Sequence, residues 1–292
     1  MAEHVEQPVG EEAPTARLRA LCVIPALDEQ GKVGRLLERF PPDAVEQVVV
    51  DDGSSDGTAA EARAAGAHVI SHDRRRGVGA AIRTGIDHAL ELGFDIVVVM
   101  GGDDQDDPAE IAVLLAPIER GEADFVQGSR RLEGRRTVDM PLFRLVTTKA
   151  YSVLFRLLTG FRSTDATNGF RAFSTDVVRD KRIRLHQTWL DTYELEPYLL
   201  FQAIRYGWRV REAPGTKSYH RDLGYSKMLP GRDWWRLLRP IIRALSLGGR
   251  NRRHAARNGK EVGARVPDAV QILFGGTPQG PDTKSRKQPH AK

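Results

Sequence analysis

The chain has 292 residues, 40% of them hydrophobic and 28% charged, with one cysteine and a formal net charge of +5. That length suits one large α/β domain or two small ones. A lone cysteine excludes a disulfide framework and is expected of a reducing compartment, and no stretch offers the roughly 18 uncharged apolar residues that a spanning helix needs.

The first twenty residues carry no apolar leader segment, so the protein is expected to be soluble or peripheral. Residues 1–17 read as disordered. The basicity is concentrated at the other end: residues 248–292 hold 10 Lys and Arg against 3 Asp and Glu, leaving 34 basic against 36 acidic elsewhere. That Gly- and Pro-rich stretch reads as a largely disordered basic tail, either solubilising or in contact with anionic lipid or a nucleic acid. With one aromatic, Phe274, and no recognisable nucleic-acid module in it, no nucleic-acid partner is expected.

In chain order, apolar runs rich in β-branched residues predict strands at Ala20–Ile24, Gln47–Val50, His68–Ile70, Ile96–Met100 and Asp124–Gln127. Cys22 lies inside the first and reads as a buried strand thiol. Between the first four strands lie helical patterns. Val33, Leu36, Leu37 and Phe40 share one face; an Ala-rich helix closes at Gly66; Ala81, Ile82, Ile86, Ala89 and Leu90 form a third buried face that stops at Gly93. Such β-α alternation predicts an α/β fold, a three-layer sandwich with a mostly parallel central sheet and its site at the C-terminal strand ends.

The loops at those ends are acidic. Pro25-Ala26-Leu27-Asp28-Glu29 follows the first strand, Asp51-Asp52-Gly53-Ser54-Ser55-Asp56-Gly57-Thr58 the second, and Gly101-Gly102-Asp103-Asp104-Gln105-Asp106-Asp107-Pro108 the fourth. Ser55 or Asp56 can cap the next helix. Asp51 and Asp52 have no such explanation, and carboxylates at a strand end can accept from a nucleotide's base N–H or ribose hydroxyls. Four carboxylates in the third loop repel one another, so positive charge is expected beside them.

The motifs VIPALDE, VVVDDGSSDGT, RRRGVGAAIRTG, GGDDQDDP and GSR, in this order, resemble the GT-A (Rossmann-like) glycosyltransferases of family 2, especially the polyprenol-phosphate (dolichol-phosphate) mannose synthase-like sugar transferases. The resemblance runs from about Ala20 to Met228 and sets the expected domain at 18–230. It implies a metal-dependent, inverting hexosyltransferase with Mg²⁺ or Mn²⁺ as cofactor, held by Asp103 and Gln105; Gly101 stands where the family has the first Asp of its metal loop. It implies a nucleotide-sugar donor bound by Pro25, Leu27, Glu29, Asp51, Asp52, Asp103, Gln105, Arg221 and Lys227, with RRRGVGAA a loop whose backbone approaches the donor and Arg75 in place of the family's usual Asn. The acceptor, a polyprenyl monophosphate, falls to Arg130, Arg144 and Asp165. Asp103, Arg130 and Lys227 are the expected catalytic residues.

A phosphate acceptor is already ionised near neutral pH and needs no strong general base. A hydroxyl acceptor would need one, for which Asp165 or Glu194 is the candidate. That alternative, a sugar or small-molecule hydroxyl acceptor in cell-envelope glycan synthesis, stays open, as does an inactive nucleotide-sugar-binding protein of this fold. A nucleotidyltransferase is disfavoured, because PALDE lacks the Gly-rich basic loop such enzymes open on. Contact with a lipid acceptor is expected on the cytoplasmic face of a membrane, through MPLFRLVTTKAYSVLFRLLTGF and through residues 231–247. In the latter, Arg236, Arg239 and Arg243 lie opposite Trp235, Leu238, Ile242 and Leu245, a pattern fitting either an interfacial helix or one packed on the core.

Overall fold

The computed structural model describes residues 18–42, 44–132, 137–138, 142–218, 236–240 and 242–243. The expectations for 1–17, for 248–292 and for Arg221 and Lys227 lie outside these residues, and Arg144 is described in its backbone alone.

The five expected strands form, as β1 (Ala20–Ala26), β2 (Glu46–Asp51), β3 (His68–Ser71), β4 (Ile96–Val99) and β5 (Phe125–Ser129). Between them run α1 (Val33–Glu38), α2 (Thr58–Ala64), α3 (Val78–Glu91) and α4 (Ile111–Glu119). The second half adds β6 (Thr137–Val138), α5 (Leu142–Thr159), β7 (Arg171–Ser174), α6 (Thr175–Arg179), α7 (Leu195–Arg205), β8 (Val210–Pro214) and β9 (Lys217–Ser218). Gly66 and Gly93 end α2 and α3 with φ of +84° and +71°, the left-handed backbone that glycine adopts without steric cost.

The main sheet has the order β3-β2-β1-β4-β7-β5-β8. All its pairings are parallel except those of β7, which runs antiparallel between β4 and β5. β6 and β9 form a small parallel pair apart from it. Side chains alternate across β1: Leu21 and Val23 join one apolar core with α3, α5 and α7, whereas Cys22, Ile24 and Ala26 join another with α1, α2 and α4. Burial on both faces explains why these strands read as continuous apolar runs. The result is the expected three-layer sandwich.

The sequence reading missed β7 and β8. RAFS and VREAP are short and carry arginines, so neither stands out as apolar. In the described part of the 231–247 segment, Leu237 is buried in the core and its carbonyl accepts from the Tyr151 hydroxyl at 3.0 Å. Arg236 and Arg239 approach Glu194, and the guanidinium groups of Arg239 and Arg243 lie 5.9 and 4.8 Å from the Trp189 ring centroid. Of the two packings left open by the sequence, the described residues take the core-packed one, with the basic side engaged by protein.

Helix α3 crosses β1 at Gly85, where a Cβ would lie 2.2 Å from Val23 Cγ1 in the packed core. Gly85→Ala should therefore destabilise the domain by about 1–3 kcal/mol, measured as a lower urea midpoint at unchanged slope.

Candidate active site

The C-terminal ends of β1, β2 and β4 bring the three acidic loops together. The N–H of Asp52 donates to the Ala26 carbonyl at 2.8 Å and that of Gly102 to the Pro25 carbonyl at 3.1 Å. β1 thus acts as the post to which both neighbouring loops are tied. The first two loops are further zipped by side chains. Asp28, at φ +49°, accepts from the Ser55 N–H at 2.8 Å, and the Glu29 N–H donates to Thr58 Oγ1 at 2.7 Å. The N-cap of α2 is Gly57 and not the expected Ser55 or Asp56; Asp56, one residue before it, accepts from the Thr58 N–H at 3.0 Å.

Of the expected donor residues, Pro25 and Leu27 are half-buried, and Glu29, buried, pairs with Lys32 at 2.8 Å. Asp51 accepts from the Ser54 N–H at 3.1 Å. Asp52 is more heavily engaged: Oδ1 accepts from His72 Nδ1 at 2.8 Å and from the Arg76 N–H at 2.9 Å, and Oδ2 from the Gly77 N–H at 2.7 Å. Arg74, Arg75 and Arg76 point into solvent, and no described ion pair holds them. The glycines of RRRGVGAA pack closely against protein. A Cβ at Gly77 or Gly79 would fall 2.2 Å from the Asp191 carbonyl oxygen or 2.1 Å from that of Leu190. They admit the backbone of the 190–192 turn against α3.

The charge of the third loop is answered largely by protein. Asp104, at φ +59°, pairs with Arg39 at 2.8 Å and Arg35 at 3.4 Å, both from α1. Asp106, fully buried, pairs with Lys217 of β9 at 3.0 Å; burial pushes its carboxyl up, and the Lys217 ammonium pulls against that rise. Asp107 accepts from the Ala109 N–H at 3.1 Å. Arg35, Arg39 and Lys217 were not singled out from the sequence: the two arginines read as the polar side of a helix, and nothing local relates Lys217 to a loop 111 residues earlier.

Asp103 differs from these neighbours. It is half-buried, its carboxylate has no described ion pair, and its described hydrogen bond, from the Gln105 N–H, is long at 3.4 Å. Gly101 leaves open the space beside it, since a Cβ there would stand 3.1 Å from Asp103 Oδ1. Among the described residues no cluster of three His, Cys, Asp or Glu side chains could hold a metal by itself. The chemistry still fits Mg²⁺ or Mn²⁺, hard ions that bind through one or two protein oxygens and complete their octahedron with water and substrate phosphate.

The acceptor edge centres on a buried ion pair rather than a free arginine. Arg130 donates from Nε and Nη2 to the two oxygens of Asp165 at 2.6 and 2.7 Å, and from Nη2 to Thr167 Oγ1 at 2.9 Å. Its expected phosphate fork is thus committed to a protein carboxylate, which makes it a brace between the end of β5 and the loop before β7. Burial alone would raise the Asp165 carboxyl, but the hydrogen bonds and charge of Arg130 outweigh it and hold the group below the usual carboxylate range. Glu212 secures the same loop, accepting from the N–H groups of Thr164 and Asp165 at 2.8 and 3.2 Å. Arg131, overlooked in the sequence, donates to the Thr164 carbonyl at 2.8 Å and Thr148 Oγ1 of α5 at 2.6 Å. Arg171 is 1% exposed and bound to the Asn168 and Glu196 carbonyls, a structural role.

Neither candidate base is placed to act as one. Asp165 is held ionised by Arg130, and Glu194 accepts from Thr192 and faces Arg236 and Arg239. Asp165→Asn, which strands a buried guanidinium, should cost about 3–5 kcal/mol at neutral pH. Because the folded carboxyl is depressed, its contribution is full above the unfolded pKa of about 3.9 and fades as pH falls through the lower folded value. The stability gap between wild type and variant should therefore narrow on acidification, as read by urea unfolding at pH 7 and pH 3.

Comparison with known proteins bears on this geometry. Residues 22–181 match the model for glycosyl transferase family 2. The chain is 35% identical over 223 residues to the undecaprenyl-phosphate mannosyltransferase of Micrococcus luteus, spanning 73% of this chain and 89% of that relative. It is 35% identical over 235 residues to the polyprenol monophosphomannose synthase of Mycolicibacterium smegmatis, spanning 76% and 86%. In fold it is similar to glucosyl-3-phosphoglycerate synthase from Mycobacterium tuberculosis, solved with Mn²⁺, uridine diphosphate and glucosyl-3-phosphoglycerate, at TM-score 0.61 and 19% identity over 78% of this chain and 79% of that one. Three acidic loops tied to one strand, a three-layer sheet and a family match across more than half its length agree: the chain belongs to glycosyl transferase family 2.

Proposed function

We propose that this enzyme moves a hexose from a nucleotide-sugar donor to a polyprenyl monophosphate with inversion. The observation that carries the reading is the join between acceptor edge and apolar surface. Arg131 ties the Arg130–Asp165 loop directly to α5, and the outward face of α5 exposes Leu145, Val146, Val153, Leu154 and Leu157. Val146, Val153, Leu154 and Leu157 lie within about 100° of one another around the helix, with Lys149, Arg156 and Leu145 beside them on one side. A water-soluble acceptor has no use for such a stripe beside its binding edge. An acceptor whose phosphate sits at the surface of an anionic membrane has, and a helix lying in that surface presents apolar and basic residues in this way. Among the described residues no helix is long and apolar enough to cross a membrane. The contact proposed is a peripheral one through this stripe, on the cytoplasmic face.

In this reading the acceptor phosphate oxygen attacks the anomeric carbon, the bond to the donor diphosphate breaks, and nucleoside diphosphate leaves with the electron pair. Asp103, with Gln105, would hold Mg²⁺ or Mn²⁺, which when bound neutralises charge on the diphosphate. Pro25, Leu27, Glu29 and Asp51 line the donor side. Arg144, Arg221 and Lys227 are assigned to substrate phosphates by family resemblance. The ionised acceptor needs no base, which accords with a site whose carboxylates Asp165 and Glu194 are both occupied by arginines. That occupation also counts against a hydroxyl acceptor.

Purified protein, polyprenyl phosphate, Mg²⁺ or Mn²⁺ and a panel of labelled nucleotide sugars should yield organic-extractable label from one donor. Chelator or Asp103→Ala should reduce it by about 100-fold or more, as loss of a single electrostatic stabiliser does. Donor hydrolysis without lipid product would move the acceptor to a hydroxyl compound, and no metal-dependent nucleotide binding would end the enzyme reading. Separately, Val153→Glu with Leu157→Glu should abolish co-sedimentation with vesicles containing anionic lipid while leaving the melting temperature within about 2 °C, since both side chains are exposed.

A further inference from the structure

The donor side contains a buried relay that motif reasoning did not find. His72 follows β3, is 9% exposed, and bridges two elements: Nδ1 meets Asp52 Oδ1 at 2.8 Å and Nε2 meets Thr84 Oγ1 of α3 at 3.0 Å. Asp52 Oδ1 also accepts from the Arg76 N–H, so the contact with Nδ1 is made by the imidazole donating, while the Thr84 hydroxyl at Nε2 is able to donate or accept. Asp52 then has both oxygens engaged, and two of its donors are the N–H groups of Arg76 and Gly77. The turn between β3 and α3 is thereby hung on one carboxylate, whose orientation is set by the imidazole behind it. Gly53, at φ +74°, lets this turn close in, because a Cβ there would stand 2.6 Å from the Arg74 carbonyl carbon. The turn presents Arg74, Arg75 and Arg76 to solvent beside the acidic donor loops.

We propose that His72 is a positioning residue that, through Asp52, holds the Arg74–Arg76 turn as the cationic wall receiving the anionic nucleotide donor. The inference rests on the donor assignment made above. Its physical basis is pre-organisation. Arginine side chains on a free turn lose entropy when they meet phosphate, whereas a turn already fixed by three hydrogen bonds gives up less. The acceptor edge, built on Arg130, Asp165 and Glu212, shares none of these contacts, so the effect is confined to one substrate.

The test measures nucleoside diphosphate affinity by calorimetry and, in the transfer assay, kcat and KM for each substrate. In His72→Ala, nucleotide affinity should fall and donor KM rise by about 10-fold, with kcat and lipid-phosphate KM within about 2-fold of wild type. In His72→Asn, whose amide N–H can replace Nδ1–H, most of the loss should be recovered. In an Arg75→Ala background the His72→Ala effect should shrink below about 3-fold, because the two changes remove one interaction. Unchanged donor affinity in a folded His72→Ala protein would overturn the inference, as would equal losses for both substrates without rescue by Asn. Wild type that binds nucleotide but transfers nothing would overturn the transfer reading and leave the binding arm to decide on His72. Wild type that binds no nucleotide would overturn both.

Discussion

Carboxylates gathered at the rim of a parallel sheet must be matched by positive charge, and here the partners come from α1 and from β9. Charge drawn out of water is costly unless paired and hydrogen-bonded. Asp104 takes its partners from α1 and Asp106 from β9, so the loop after β4 is pinned on two sides. The consequence is selective: Asp104 and Asp106 are paired with protein cations, whereas Asp103 has no described ion pair.

The same logic shapes the other edge. An arginine and an aspartate buried together at 5% and 0% side-chain exposure are useful to the fold only as a pair. Their bidentate geometry makes the end of β5 and the loop before β7 one rigid unit, with Glu212 closing it from β8. Rigidity of this kind suits a transferase whose acceptor arrives already ionised, since the work is alignment more than proton transfer.

Apolar exposure is confined in a comparable way. α5 buries Tyr151 and Phe155 on one side and exposes five aliphatic residues on the other, while the described part of the later basic helix turns its arginines toward Glu194 and Trp189. A contiguous exposed aliphatic stripe is unusual on a protein that stays in water and marks a surface meant to be covered. Arg131 connects this helix to the loop that carries the Arg130–Asp165 pair.

By itself the sequence determined the β-α order of the first half, the three-layer class, the place of the acidic loops and the family. Strand and helix periodicity and glycine stops are local properties, written within a dozen residues. The acidic loop that carries Asp103 was legible for the same reason, as a compact motif. Only the tertiary structure decided which carboxylates are spent on protein cations, because Arg35 and Arg39, Lys217, and His72 reach their acidic partners from other segments of the chain. It also decided that Arg130 is held by Asp165 and that Gly77 and Gly79 make room for protein backbone, and it added β7 and β8, whose polar positions gain their strand character from neighbours on both sides. Pairing across long sequence separations is set by packing and desolvation of the whole sheet, which no short motif records.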